Sequence, residues 1–447
     1  TDLKSNLRLS ISHVYLKERK KHFSYNRRSF LANKKMIQEF INKQFYNLFI
    51  FTFIFGLVLY GTIGFDSIDE ICACILLILF IFATFKTPDW AINKSFLAVS
   101  SVFIFYTIYS FYIHSNSAKG IISDMIIQFK PYLAFFAVYY LCPVFSSKQK
   151  DLIKKIILII SFFMFLIGCA SLVYPLAFRV TVGHVAYFAA IITASSLLYY
   201  YCSEGSKIDK IIFILILAIG LFSARSKFYG FFIISVVTVI FFGNISRLKL
   251  NFKTIVIAVL SLAAMVLASW KKMVMYFGVG KSLDSVPEEF MARAMLYVTS
   301  FEIFKDFFPF GSGFASFASH SSGVYYSPLY AKYGIENVKG ISKNNYSYIA
   351  DTYYPCLAQF GIIGVFLYIL FFAYIIRKAY KLFLSTQKEK YFIIPFLIIG
   401  YLLIENIADA TFTGHRGFFI MMLLGLVMSE QKHQLLANKS TSQKQPE

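Results

Sequence analysis

Long apolar runs separated by short polar or basic connections set the pattern of the chain. A membrane-spanning helix needs about 20 mostly apolar residues, and on that measure about twelve segments qualify, some of them short. They cover 45–65, 70–85, 96–113, 131–146, 153–174, 185–202, 210–224, 228–243, 255–270, 352–376, 391–406 and 417–429. This pattern predicts an all-α polytopic membrane protein. One connection is exceptional: residues 271–351 lie between the ninth and tenth segments, and a loop of that length in a compact chain is usually functional. Within it Phe290, Met291, Ala294, Met295, Tyr297, Val298, Phe301 and Phe304 recur at helical spacing. An amphipathic helix is therefore expected over 288–308, stopped by Pro309 and Gly311-Ser-Gly313. The loop reads as a small, mostly helical cap on the outer face. It divides nine spans in 45–270 from three in 352–430, with a basic arm (1–44) before them and a short tail (431–447) after.

Composition narrows the class. Hydrophobic residues make up 58% of the chain and charged ones 15%, which excludes an ordinary soluble enzyme. The net charge is +21, but its cations fall between apolar runs and form no continuous basic face, so no nucleic-acid partner is expected. More than two thirds of the 44 Lys and Arg lie on the side of the N-terminal arm. The positive-inside rule then puts both termini in the cytoplasm and the long loop outside. The arm itself, with Lys17, Arg19, Lys20, Lys21, Arg27 and Arg28 among apolar residues, either lies on anionic lipid or simply orients the chain. The six cysteines sit in apolar stretches and read as core residues. No nucleotide loop, zincin motif or dinucleotide fingerprint is present, so neither cofactor nor metal is expected.

Chemistry must then come from ionisable groups at the outer face, because charges at membrane depth are costly and tend to be functional or paired. Arg225 and Lys227, in the break between the seventh and eighth runs, either hold a phosphate or reach lipid headgroups. Arg293 lies on the amphipathic helix of the loop, as a solvated face or aimed into a cavity by the downstream break. His320 in the loop is a candidate base or a plain exposed histidine. Asp351, just before the tenth run, is either a helix N-cap or a carboxylate that orients an acceptor hydroxyl. Asp409, His415 and Arg416 share the last outer connection, where a structural Asp409–Arg416 salt bridge is the plain alternative, and Glu405 should face the bundle interior. Arg179 and His184 flank the start of the sixth run. Together Arg179, Arg225, Lys227, Arg293 and Arg416 would form a basic cavity in apolar walls, suited to a diphosphate on a lipid tail. The tyrosines between Tyr325 and Tyr354 suit either sugar stacking or a membrane-interface belt.

Over residues 96–430 the chain resembles the O-antigen ligase and polymerase superfamily of bacterial inner-membrane proteins. The elements that carry the resemblance are the span pattern, the large outer loop, Ala224-Arg225-Ser226, Arg293 at the start of the loop helix, Pro309-Phe-Gly311-Ser-Gly313, and Gln359-Phe-Gly361-Ile-Ile-Gly364. The last two are the most specific. Ligases of that family carry a His close to an Asn shortly before the final glycine motif; here Asn344 and Asn345 have no His nearby and His320 lies far upstream. The chain is therefore more similar to repeat-unit polymerases of the Wzy type than to ligases. The resemblance implies glycosyl transfer at the periplasmic face between undecaprenyl-diphosphate-linked oligosaccharides, with membrane lipids around it and the flippase and chain-length regulator of the same pathway as partners. It implies that Arg225 and Arg293, and less strongly Arg179, Arg416 and Lys227, bind diphosphate, and that Asp351 or His320 is the acceptor base. Ligation of a finished polymer to an acceptor such as lipid A-core, or transport, are the alternatives. A transporter would show paired broken helices in two related halves, and the sequence has no such repeat.

Overall fold

A computed structural model of the chain describes residues 35–65, 67–86, 94–245 and 288–442. Among these residues regular structure is helical, apart from one isolated bridge between Ser342 and Asn345. The principal helices are α1 (Lys35–Val58), α2 (Ile68–Lys86), α3 (Lys94–Tyr112), α4 (Ala118–Leu141), α5 (Ser147–Val173) and α6 (Val185–Cys202). They continue as α7 (Lys207–Ile219), α8 (Ser226–Ile245), α9 (Glu288–Asp306), α10 (Gly361–Thr386), α11 (Lys390–Glu405) and α12 (His415–Ser442). Among the described residues, 7 helices are long and apolar enough to cross a membrane: α1 to α6 and the run Pro355–Thr386 that contains α10. Each apolar segment read from the sequence coincides with a helix, except 255–270, which lies outside the described residues, as does 1–34 of the basic arm.

Several boundaries move for physical reasons. The first helix already runs at Lys35, inside the basic arm, where the described residues begin. The fourth begins at Ala118, where the Ser117 side chain accepts the Gly120 N–H, so Pro131 sits within the helix and does not open it. The tenth segment opens as a 3-10 turn, Pro355–Phe360, and becomes α-helical only at Gly361. Asp351 therefore caps no helix.

α4, α6 and α12 form the centre. Residues 415–430 of α12 are buried almost without exception, and α12 lies against α4 so closely that a Cβ on Gly425 would stand 2.7 Å from the Phe135 carbonyl. α3 and α5 lie at the periphery and expose Ile104, Ile108, Phe162 and Phe163, a surface suited to lipid and not to water. Contacts gather at two ends of the bundle. At one, Lys150 pairs with Glu430 at 2.7 Å and Lys210 with Glu389 at 2.7 Å. At the other, Thr62 donates to the Thr181 carbonyl at 2.8 Å, and the Tyr60 ring stacks on His415 at 3.5 Å. This second end carries the cap.

The cap has its own core, in which Ala292, Leu296 and Ile303 of α9 meet Phe317, Tyr330, Ile335 and Ile349. Beyond Asp306 it consists mainly of turns with two short helices, His320–Val324 and Leu329–Lys332, so the expected helical content is met chiefly by α9. It is fastened backbone to backbone. Gly311 (φ 83°) and Gly361 (φ 59°) adopt left-handed geometry, and a Cβ on Gly311 would stand 2.2 Å from the Gly361 nitrogen. Ser312 and Gly313 N–H groups donate to the carbonyls of Ala358 and Gln359. The two glycine motifs are thus halves of one joint. Gly311→Ala and Gly361→Ala should each loosen the cap, seen as faster proteolytic cleavage within 307–354 and a lower Tm, whereas Gly334→Ala, with open space around it, should cost only about 1–2 kcal/mol for its positive φ.

Candidate functional site

The site grows from the two turns that close the α7–α8 and α11–α12 hairpins. After Ile219 the chain tightens into a 3-10 turn, Gly220–Ser223, and Ala224 takes a left-handed conformation (φ 50°), so Arg225 and Lys227 are delivered to the bundle end with little slack. Opposite them, α11 ends on buried Glu405. Arg225 approaches its carboxylate at 3.2 Å and Lys227 at 2.9 Å. Lys227 also donates to the carbonyls of Glu405 and Ala408, both at 3.1 Å, so one ammonium neutralises the carboxylate and caps the helix C-terminus. In the following turn Asp409 accepts a two-pronged bond from Arg416 at 2.9 and 2.6 Å and lies 3.7 Å from Arg225. The Arg416 guanidinium lies 5.4 Å from the Tyr187 ring. Asn406 shapes the turn, accepting the Phe412 N–H at 3.0 Å and donating to the Tyr368 hydroxyl at 3.1 Å.

The cap touches the same turn. Tyr297 of α9 donates to the Ile407 carbonyl at 2.6 Å, and the Tyr353 N–H donates to the Asn406 carbonyl at 3.2 Å. One helical turn before Tyr297, Arg293 binds Asp351 through Nε at 2.7 Å and through Nη2. Among the described residues Arg225, Lys227, Arg293 and Arg416 thus face Glu405, Asp409 and Asp351. Burial and nearby Asp409 push the Asp351 carboxyl above the usual carboxylate range, against the pull of Arg293. Burial opposes ionisation of Asp409 too, but Arg416, Lys227 and Arg225 outweigh it and hold that carboxyl well below the usual range.

Sequence-read residues divide accordingly. Arg225, Lys227, Arg293, Asp351 and Arg416 come together, but as a paired network in place of the open basic cavity expected from their charges. Arg179 is exposed on the short helix Ala177–Val182, and no ion pair among the described residues joins it to the network. His320 is exposed at the start of its short helix, which packs on α4, and no hydrogen bond or ion pair among the described residues joins it to the network either. His184 caps α6, its Nδ1 accepting the Ala186 N–H at 3.1 Å. Glu405 and Asp409 matter more than their sequence context implied.

Buried groups in α4 were missed altogether. Lys130 pairs with Asp69 and, at 2.7 Å, with Glu70. Asp124 accepts the Ala315 N–H at 2.7 Å, and Gln128 and Gln359 both donate to the Cys356 sulfur. Ser117 followed by Ile121, Ile122, Met125 and Ile126 at helical spacing is the signal that would have extended α4 back over them. The cysteines are free; Cys72, Cys202 and Cys356 are buried and Cys74 is exposed.

This architecture defines an α-helical membrane protein with an ion-paired polar site between bundle and cap. No model of a known protein family matches the chain, and no curated protein does.

Arg416→Ala removes the two-pronged partner of Asp409, leaving it only the longer contact to Arg225, and should cost about 3–5 kcal/mol, with part regained in the Asp409→Ala/Arg416→Ala double variant, read by thermal unfolding in detergent. The depressed Asp409 carboxyl contributes stability that is fully present above its unfolded pKa and lost as pH falls below about 4. The wild type should therefore lose more Tm on acidification than Asp409→Asn; equal losses would assign the acid sensitivity to other carboxylates.

Proposed function

We propose that the chain is an inner-membrane glycosyltransferase that polymerises undecaprenyl-diphosphate-linked oligosaccharide repeat units into O-antigen or a related surface polysaccharide. On this reading about twelve spans cross the membrane, both termini are cytoplasmic, and the cap and ion-paired site face the periplasm. The observation that carries the proposal is the convergence of Arg293, from the cap, with Arg225, Lys227 and Arg416, from the bundle, around the 405–409 turn. Planar guanidiniums held by carboxylates are pre-organised for phosphate oxygens, and Arg stays charged at any working pH.

In the proposed step, a hydroxyl of the incoming repeat unit attacks the anomeric carbon of the growing chain. The glycosidic bond to the carrier breaks, and its electron pair leaves on undecaprenyl diphosphate. Arg225 and Arg293 stabilise the charge that develops there, with Arg416 and Lys227 behind them. The hydroxyl proton goes to Asp351, whose burial-raised proton affinity brings it nearer to the pH at which a base works best.

Deleting the gene in its host should leave single repeats on the surface carrier and remove long chains on electrophoresis of the polysaccharide. Long polymer accumulating on undecaprenyl diphosphate would instead mean ligase, and unaltered lipid-linked intermediates would exclude both. Arg225→Ala and Arg293→Ala, at unchanged protein level, should each reduce chain extension by about a hundredfold or more, whereas exposed Arg179→Ala should leave the ladder intact.

A further inference from the structure

One face of α9 is covered by neither the bundle nor the rest of the cap. Ala292, Leu296 and Ile303 point into the cap core, while Tyr297 and Phe304 turn toward the bundle, where Tyr297 reaches the Ile407 carbonyl and Phe304 packs on both cores. On the remaining face Val298, Phe301 and Lys305 follow one another at helical spacing, all exposed, and Phe308 extends the row past the helix end. Phe301 is 64% exposed and Phe308 72%, a contiguous apolar surface that calls for a covering other than water. We propose that this row is seated in the bilayer leaflet at the cap end of the bundle, so that α9 lies in the membrane surface and not clear of it. The seat holds whichever reaction the site performs.

Three observations select lipid as the covering. First, the row continues, at both ends, the apolar surface of the spanning helices. Tyr297, next to Val298, is bonded to Ile407, which is exposed just past the exposed Leu403 of α11. Two positions after Phe308, Phe310 packs at 5.3 Å on Phe105, on the exposed side of α3. Between them α9 packs on the 3-10 turn Pro355–Phe360, and α10 leaves that turn with Ile362 and Phe366 exposed. Second, the charges sit where a membrane surface wants them. Lys305 stands between Phe301 and Phe308 and has no ion pair among the described residues, so its stem can lie in the apolar layer and its ammonium among lipid phosphates. The acidic Asp306 is turned to the cap, where it accepts the Tyr333 hydroxyl at 2.7 Å and lies 3.9 Å from Lys332. Third, a single row on one helix falls far short of the about 20–30 residues a side that a stable protein interface uses. Arg293 stands on the same helix, one turn before Tyr297, so the seat also sets the height of its guanidinium at the head-group level.

The test uses the full-length protein in nanodiscs of phosphatidylcholine and phosphatidylglycerol, with Trp90→Phe and Trp270→Phe removing its two native tryptophans and one tryptophan introduced at a time. Phe301→Trp and Phe308→Trp should each lose about half of their emission or more to phospholipid brominated close to the head group, and less to bromine at the chain end, because an interfacial helix sinks only about 5–10 Å. Phe366→Trp, on the exposed side of α10, is the positive control, and Tyr346→Trp, on the exposed surface of the cap, should answer only to aqueous acrylamide. Adding Lys305→Glu should lower the bromine quenching of Phe308→Trp about twofold. Acrylamide quenching of Phe301→Trp and Phe308→Trp, beside bromine quenching of Phe366→Trp, would put the row in water and overturn the seat. Shielding from both quenchers would give the row to a partner protein or a second copy and overturn it too. If the tryptophan-free chain does not fold, the unaltered protein with a diazirine-bearing phospholipid decides: label on 297–308 as well as on Lys94–Tyr112 supports the seat, and label on Lys94–Tyr112 without 297–308 overturns it.

Discussion

A buried carboxylate at the C-terminus of a helix is doubly disfavoured, by lost hydration and by the negative end of the helix dipole, and Glu405 occupies that position. It is tolerable only because Arg225 and Lys227 reach it from the neighbouring hairpin. That requirement fixes the α7–α8 turn against the end of α11, and Lys227 completes the junction by capping the carbonyls of Glu405 and Ala408. The next turn inherits its shape. With Arg225 already near, Asp409 has one strong partner left to take, and Arg416 at the start of α12 supplies it.

Arg416 carries the constraint into the middle of the bundle. Its guanidinium lies near Tyr187 of α6, its neighbour His415 stacks on Tyr60 beyond α1, and α12 then runs buried along α4. Buried ion pairs of this kind add little net stability over apolar packing, yet losing one partner is severe, so they act mainly to fix position. The cap sits on the surface so formed. It touches the turn through Tyr297 and Tyr353, while the Gly311–Gly361 joint sets its distance from α10.

How much of this is legible in sequence depends on range. Helices that cross lipid must satisfy their backbone internally and cover themselves with apolar side chains, so the runs announce themselves. Asp409 and Arg416 stand seven positions apart and their pairing is anticipated; Arg225 and Glu405 stand 180 apart, and nothing local says that one answers the other. Cations alone therefore read as an open basic cavity, because their counterions arrive from elsewhere in the chain. Lys130 and Asp124 were hidden differently. Pro131 looks like a helix start, which put both residues in a loop, whereas the helix passes through it and buries them. The glycine motifs of 311–313 and 359–361 were visible as strings, but their meeting required three dimensions.

On the proposed function, the pairing within the network constrains how a ligand binds. The cations are already held by carboxylates, so a diphosphate must take them away from those partners. The pairs are not equally guarded. Glu405 is 3% exposed and Asp409 16%, whereas Asp351, held by Arg293, is 29% exposed and belongs to the cap and not to the bundle. Displacing either of the first two strands a charge in more buried surroundings; displacing Asp351 does so least. Asp351 is thus the carboxylate most readily exchanged for a phosphate, and it is the one whose surroundings already raise its affinity for a proton. Binding of the donor's leaving group and unmasking of the acceptor's base then become one exchange, made at the seam where cap meets bundle.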